Sequence, residues 1–212
     1  MNTSLTLSEL EYDALKEMMN ISFGRAAASL SEIMDVNVIL SVPVIQMVGV
    51  KGMAAFISTQ APETIAYSMV EQFFLGNFSG VSVLLLPESG GSNLISLFNP
   101  RPLQNMRSEE RELLTRETIL EIGNILIGAC VGMLSELMEN HVTFRPPQYQ
   151  SGSVEALALE NHIGSAGEVA LIFKTIFHFD QQNVQGNLFL ITSNESLFWI
   201  KSSIDHFMAD IT

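Results

Sequence analysis

Two sets of acidic and amide side chains in this sequence share one spacing, i, i+4 and i+7. The first set is Asp13, Glu17 and Asn20, and the second is Glu117, Glu121 and Asn124. Residues spaced in this way lie along one side of an α-helix. Each set would therefore form a narrow polar stripe, which on an exposed helix face is suited to docking against another molecule.

The residues around the second stripe are almost wholly apolar from Thr118 to Leu134, so most of that helix must be buried. An unpaired amide or carboxylate inside a protein costs on the order of 1–3 kcal/mol. The stripe must therefore be exposed to solvent or satisfied internally. Gly24 and Gly128 continue the two stripes, where the missing side chain would either keep the ridge slender or allow close helix packing.

Two long helices must carry these stripes. The first is predicted to begin at the capping box Ser8–Glu11 and to run to about Met34. The second is predicted to begin near Ser108, with acidic residues in its first turn, and to run to about Met138. Each stripe thus lies well inside its helix.

The two helices belong to a repeated unit. Residues 13–43 align without a gap over residues 117–147, at a constant offset of 104, with identities at ten of the 31 positions. The identical pairs include Glu17/Glu121, Asn20/Asn124, Gly24/Gly128 and Pro43/Pro147. This self-similarity indicates an internal duplication within one domain over 1–212, with a first repeat over about 8–98 and a second over about 108–208.

Strand-like patterns follow each helix. The first repeat predicts strands over Ile65–Leu75 and Val81–Leu86 and a helix over Asn93–Phe98. The second predicts strands over Glu168–Asp180 and Asn187–Thr192, a turn through Gln185–Gly186 and a helix over Glu195–Phe207. Val50–Ile57 fits a strand or a short helix. Hairpins in place of crossover helices favour an α+β fold, in which two long helices related by a pseudo-twofold axis pack on a largely antiparallel sheet.

Each stripe is also followed, after twenty-two intervening residues, by a proline. The pattern acid-x-x-x-Glu-x-x-Asn occurs as Asp13–Asn20 with Pro43 and as Glu117–Asn124 with Pro147. It resembles the signature of the CheC, CheX and FliY phosphatase family, whose members dephosphorylate CheY. On this pattern the sequence is identified as a CheC-type member, although the family usually has Asp or Ser where Glu117 stands.

The resemblance implies a phosphatase acting on the phosphoaspartate of a CheY-like response regulator. The two Asn residues would insert into the regulator's active site and orient the attacking water. The two Glu residues, one turn earlier, would pair with the regulator's conserved Lys, with Asp13 and Glu117 in support. The two prolines are expected to be structural. No cofactor of the chain's own is expected, because the regulator brings Mg²⁺.

Composition narrows the class of partner and compartment. The net charge is −13 and no Lys/Arg cluster offsets it, which argues against nucleic acid and membrane partners. The N-terminus lacks the pattern of a signal peptide, and the apolar run Ile122–Leu134 is short for a membrane span, so we expect a cytoplasmic protein. Cys130 is the single cysteine and, among small apolar residues, is expected to be a buried thiol.

Other kinds of enzyme find no support in the sequence. His141, His162, His178 and His206 share no metal-binding spacing. Asp205 and His206 lack a serine in a nucleophile elbow, and Gly90-Gly91 lacks the lysine of a nucleotide-binding loop. These patterns argue against a metalloenzyme, a serine hydrolase and an ATP-dependent enzyme.

A second kind of function stays open. The chain could be a non-catalytic chemotaxis adaptor that binds a response regulator or a CheD-like protein, although intact Glu and Asn in both stripes favour the phosphatase. A FliY-like role at the flagellar switch is not expected, because the chain ends at Thr212. We expect a monomer, since the duplication supplies a pseudo-twofold within one chain.

Overall fold

The computed structural model describes residues 7–49, 52–60, 66–88, 90, 93–95, 106–153, 169–179, 184–192 and 194–211. The helices are α1 (Glu9–Met34), α2 (Met53–Gln60), α3 (Ser108–Leu137) and α4 (Asn194–Ile211), and residues 93–95 are also helical. The strands are β1 (Val38–Leu40), β2 (Val44–Gly49), β3 (Tyr67–Leu75), β4 (Gly80–Pro87), β5 (Thr143–Phe144), β6 (Gln148–Gly152), β7 (Val169–Phe179) and β8 (Val184–Thr192).

The long helices begin and end as the sequence predicts. At the start of α1 the Ser8 hydroxyl accepts a hydrogen bond from the Glu11 amide, and the Glu11 carboxylate accepts one from the Ser8 amide. That backbone bond is the main cause that lowers the pKa of Glu11, and a weaker contribution comes from Lys201 of α4, 3.2 Å away. After the helices, Asp35 and Glu139 adopt left-handed φ values of 52° and 51°. The two residues are 104 positions apart, so both repeats leave their helix in the same way.

The described strands form one eight-stranded, antiparallel sheet. Its centre is the β4–β8 pair, and the hairpin partners β3 and β7 lie on either side of it. The short strands cross over between repeats, since β1 and β2 pair with β7 whereas β5 and β6 pair with β3. Each half therefore completes the sheet of the other, and the predicted α+β fold with a pseudo-twofold axis is confirmed.

Apolar side chains cover both faces of the sheet. One face packs against α1, α3 and α4 through a large core that includes Phe74, Phe173 and Phe177. The other face carries a smaller cluster that includes Met53 and Ile57 of α2. The sequence allows Val50–Ile57 to be a strand or a short helix. Within the described residues, Met53–Ile57 belong to helix α2.

One predicted turn is wrong. Gln185 and Gly186 lie inside β8, which begins at Val184. A Cβ at Gly186 would collide with the ring of Phe177 and with the carbonyl oxygen of Leu85. The glycine therefore allows neighbouring groups to approach closely within the sheet, a role that a sequence pattern does not separate from turn formation. Residues 99–105, between the two repeats, lie outside the described part of the chain.

Helix α3 is long and apolar enough to cross a membrane by length and composition alone. Half of its most apolar window is buried against the rest of the fold. Its buried residues include Ile119, Leu126, Cys130 and Leu134, which pack in the large core. Within the described fold, α3 is a core helix.

Candidate functional site: two exposed stripes

Both stripes face solvent. Asp13, Glu17 and Asn20 are exposed on α1, and Glu117, Glu121 and Asn124 are exposed on α3. Between Glu17 and Asn20, Met18 and Met19 are at 0% exposure, and Ile122 and Gly123 are likewise buried between Glu121 and Asn124. The sequence requires each stripe to be exposed or to be satisfied internally, and the structure exposes both. Each stripe is a polar ridge on a helix whose other side lies in the core.

The glycines that extend the stripes stand in open space. A Cβ built at Gly24 or at Gly128 meets no atom of the described chain within 4 Å. Close helix packing therefore does not account for them, and the ridge stays slender one turn beyond each Asn. A glycine inside a helix costs about 0.5–1 kcal/mol relative to alanine, so open space at both positions favours a role in contact with another molecule.

The second stripe is tied to the sheet beneath it. Nε2 of Gln72 on β3 donates hydrogen bonds to Asn124 Oδ1 at 2.9 Å and to the carbonyl oxygen of Arg145 at 3.1 Å. The helix can approach the strand because position 123 is a glycine, whose Cβ would come within 2.8 Å of the Val70 side chain. Sequence reasoning missed Gln72. Its one signal is that it forms, with Glu71, a polar pair inside the largely apolar strand Tyr67–Leu75.

An apolar depression borders the acidic end of the second stripe. It encloses about 390 Å³ between the end of α1 and the middle of α3. Ile33 and Met34 line it from α1, and Glu117, Glu121 and Ile125 line it from α3. Ile33 is 64% exposed, so carboxylates and accessible apolar surface lie side by side at this site.

The two prolines lie at matching places in the sheet. Pro43 follows β1 and directly precedes β2, and Pro147 follows β5 and directly precedes β6. Neither proline lies on a stripe-bearing helix. Their positions agree with the structural role expected for them, since proline is compatible with the start of a strand.

The remaining candidate groups do not come together. His141 and His206 are exposed, His178 is half-buried on β7, and His162 lies outside the described residues. Within the described chain, no three His, Cys, Asp or Glu side chains are placed to hold a metal ion. Burial raises the pKa of the Cys130 thiol to about 12, which makes this buried thiol a poor nucleophile.

Comparison with known proteins finds a family model and a curated relative that resemble this chain. The model of the CheC-like family matches residues 10–47, which contain the first stripe and Pro43. The flagellar motor switch phosphatase FliY of Bacillus subtilis (strain 168) is 25% identical over 144 residues, which cover 68% of this chain. The chain is thus similar to the CheC-like family over its first stripe and to a FliY over two thirds of its length. The aligned segment covers 36% of that FliY, so the chain spans about a third of the length of this relative.

Several solved structures share the fold of this chain. Thermotoga maritima FliY superposes with a TM-score of 0.72 at 16% identity, covering 95% of this chain and 99% of that chain. A chain of the CheX–CheY–BeF3–Mg²⁺ complex from Borrelia burgdorferi gives 0.51 at 19% identity, covering 81% and 96%. A chain of the FliG–FliM complex from H. pylori gives 0.56 at 14% identity, covering 92% and 100%. The same fold thus occurs in proteins named CheX, FliY and FliM.

Proposed function

We propose that the protein is a phosphatase that hydrolyses the phosphoaspartate of a CheY-like response regulator. The observation that carries the proposal is the pair of exposed Glu-x-x-Asn stripes, one on each long helix of a chain similar to the CheC-like family and to a FliY. A relative of this chain is named a phosphatase, and a neighbour in fold was solved in a complex with CheY. These names support the class of reaction and the class of partner.

The chemistry needs little from the protein beyond placement. In phosphoaspartate hydrolysis a water oxygen attacks phosphorus in line and the bond from phosphorus to the aspartyl oxygen breaks. The aspartate leaves as a carboxylate, phosphate keeps one proton of the water, and the other proton passes to solvent. Positioning and electrostatic stabilisation dominate such phosphoryl transfer. Asn20 and Asn124 would each enter a regulator's active site and hold the water with the side-chain amide. The substrate would bring its own Mg²⁺, and the chain itself would need no cofactor.

The carboxylates would set the register of docking. Glu17 and Glu121 lie one helical turn before the two Asn residues, and they are exposed on the same stripes. A carboxylate there can form a charge-assisted hydrogen bond with a lysine of the regulator. Asp13 and Glu117, one turn earlier still, add negative charge at the edge of each site. The net charge of −13 favours a protein partner over nucleic acid. We propose that the protein acts in the cytoplasm, where such a regulator would be found.

A second candidate function is a non-catalytic adaptor. It is favoured by one observation, that the fold is shared with a FliM solved in complex with FliG, so the fold also serves protein assembly. The chain is similar to two FliY proteins, so a role at the flagellar switch is again a candidate. The end of the chain at Thr212 is no evidence against that role. A CheD-like partner stays a prediction from the family resemblance.

Phosphate release separates the two candidates. Purified CheY is charged with acetyl phosphate and Mg²⁺, and its release of phosphate is followed with the wild-type chain and with the double variant Asn20→Ala/Asn124→Ala. The phosphatase proposal predicts that the double variant loses about 100-fold or more of the rate above that of CheY alone. Asn77→Ala, a change at an exposed asparagine in the β3–β4 turn, serves as the control and should behave as wild type. Undiminished release by the double variant would leave the adaptor role.

A further inference from the structure

The hydrogen bonds of Gln72 fix which way the Asn124 amide points. Gln72 is buried, at 3% exposure, and its Nε2 lies between Asn124 Oδ1 and the Arg145 carbonyl oxygen. A carbonyl oxygen can only accept a hydrogen bond, so the Gln72 atom that faces it must be the amide nitrogen. The Asn124 atom bonded to that nitrogen must then be an acceptor, Oδ1. The Nδ2 group of Asn124 therefore points away from the sheet, towards the exposed side of the stripe.

The first repeat lacks this device. Thr175 of β7 occupies the place of Gln72, because its hydroxyl donates to the carbonyl oxygen of Ser41 at 2.8 Å, and Ser41 is 104 positions before Arg145. The threonine side chain is shorter and its hydroxyl proton goes to Ser41. The side-chain amide of Asn20 makes no hydrogen bond within the described part of the chain. The two sites therefore differ in how firmly the amide is held.

The helix spacing reinforces the difference. Gly123 precedes Asn124 and brings α3 against Val70 of the sheet. At the matching position of α1 stands Met19, which is fully buried in the large core. Helix α3 approaches β3 more closely along its length than α1 approaches β7.

Fold stability does not explain the amide at position 72. Gln72 Oε1 is buried and has no hydrogen-bond partner among the described residues, and the same holds for Oγ of Ser82, its cross-strand neighbour on β4. A buried polar atom without a partner destabilises a fold, whereas an apolar side chain of similar size would avoid that cost. The two groups that Gln72 binds belong to exposed residues, which water can solvate in its absence.

We propose that Gln72 is a positioning residue that orients the Asn124 amide, so that the second stripe presents a fixed N–H donor and the first does not. The inference rests on the proposed function. In that setting the Nδ2–H of Asn124 would bind one lone pair of the attacking water and leave another free to attack phosphorus. Fixing the amide before docking lowers the cost of ordering the water. The second site is then the faster of the two.

Single-site backgrounds test this proposal in the full-length chain. Asn20→Ala leaves only the second site, and Asn124→Ala leaves only the first. Into each background we place Gln72→Thr, which copies the residue that the first repeat uses and can still bond the Arg145 carbonyl. We expect kcat for phospho-CheY hydrolysis to fall about tenfold in the Asn20→Ala background with KM within about twofold, and no change in the Asn124→Ala background.

The second variant separates positioning from stability. Gln72→Leu removes the orphaned oxygen, so its melting temperature should equal or exceed that of the wild type while kcat of the second site still falls. Equal loss in both backgrounds, no loss in either, or turnover confined to the first site would overturn the proposal. A wild-type chain without any turnover would instead contradict the proposed function, and this inference would fall with it.

Discussion

Glu17 and Glu121 lie one turn before the two Asn residues. In the proposed function this spacing gives the Glu and Asn side chains different roles. The Asn amide would touch the reacting water, whereas the Glu carboxylate would touch a lysine at the edge of the regulator's site. An exposed carboxylate acts chiefly on association, in a manner that salt screens. The two residue types should therefore affect different kinetic constants.

Glu17→Gln/Glu121→Gln is predicted to raise KM for phospho-CheY about tenfold, with kcat within about threefold of wild type. The amide keeps the shape of the side chain and removes the charge that would pair with lysine. The dependence of KM on salt should also weaken. Steady-state kinetics at two ionic strengths measures both effects. Glu109→Gln, an exposed acid in the first turn of α3, controls for net charge, and a fall in kcat at constant KM would contradict the assignment.

The residues of the stripes could be predicted because helical spacing is local. Asn20 and Glu17, like Asn124 and Glu121, lie on one face through i, i+3 geometry alone. Gln72 could not be found in that way, since its contact with Asn124 joins residues 52 positions apart. That contact depends on which strand passes beneath α3 and on the glycine that lets the helix approach.

At the scale of elements, the helices were predictable and the pairing of strands was not. The capping box at Ser8 and the acidic first turn of α3 define helix starts through contacts three residues apart. The partners of β1 and β2 lie in the other repeat, more than a hundred residues away. A sequence pattern gives the strand and its alternation, but no local signal states that the repeats exchange their short strands.

Gly24 on α1 and Gly128 on α3 both have open space where a side chain would stand, so alanine should fit at either position. Gly24→Ala/Gly128→Ala should stabilise the chain by about 0.5–1 kcal/mol per site, because alanine is the better helix former and no atom is displaced. If the slender ridge serves docking, the same change should raise KM for phospho-CheY several-fold. Thermal unfolding and steady-state kinetics of one sample measure the two effects.

Gly132→Ala is the matched control for that experiment. A Cβ at Gly132 also meets nothing within 4 Å, but the residue lies two turns beyond Asn124. The control should gain similar stability and keep the wild-type KM. A double variant that gains stability with an unchanged KM would show that the ridge beyond each Asn does not contact the partner.

At the scale of the whole molecule, the duplication places two sites on one chain. The β4–β8 pair joins the halves at the centre of the sheet, and the exchanged short strands join them again at both sides. One chain therefore contains the pseudo-twofold that two copies would otherwise have to supply. We predict that light scattering gives the mass of one chain at micromolar concentration. A mass near twice that value would contradict this prediction.

The two repeats share one topology but differ in the residues that hold the two stripes. Equivalent places in the two repeats hold Gln72 and Thr175, and Gly123 and Met19. These differences leave the sheet topology symmetric while they change how an exposed amide is held. The repeat itself was predictable from the constant offset of 104, whereas the proposed difference between the two stripes depends on contacts between helix and sheet.

Under the proposed function, Asn20 and Asn124 accelerate hydrolysis by holding the attacking water. Single-turnover decay of labelled phospho-CheY measures this acceleration. Wild-type chain or Asn20→Ala/Asn124→Ala is added until the rate reaches a plateau, so that weaker binding cannot limit the result. We expect a wild-type plateau at least about tenfold above the decay of phospho-CheY alone, and a double-variant plateau at the rate of phospho-CheY alone. A double-variant plateau equal to that of the wild type would contradict this expectation.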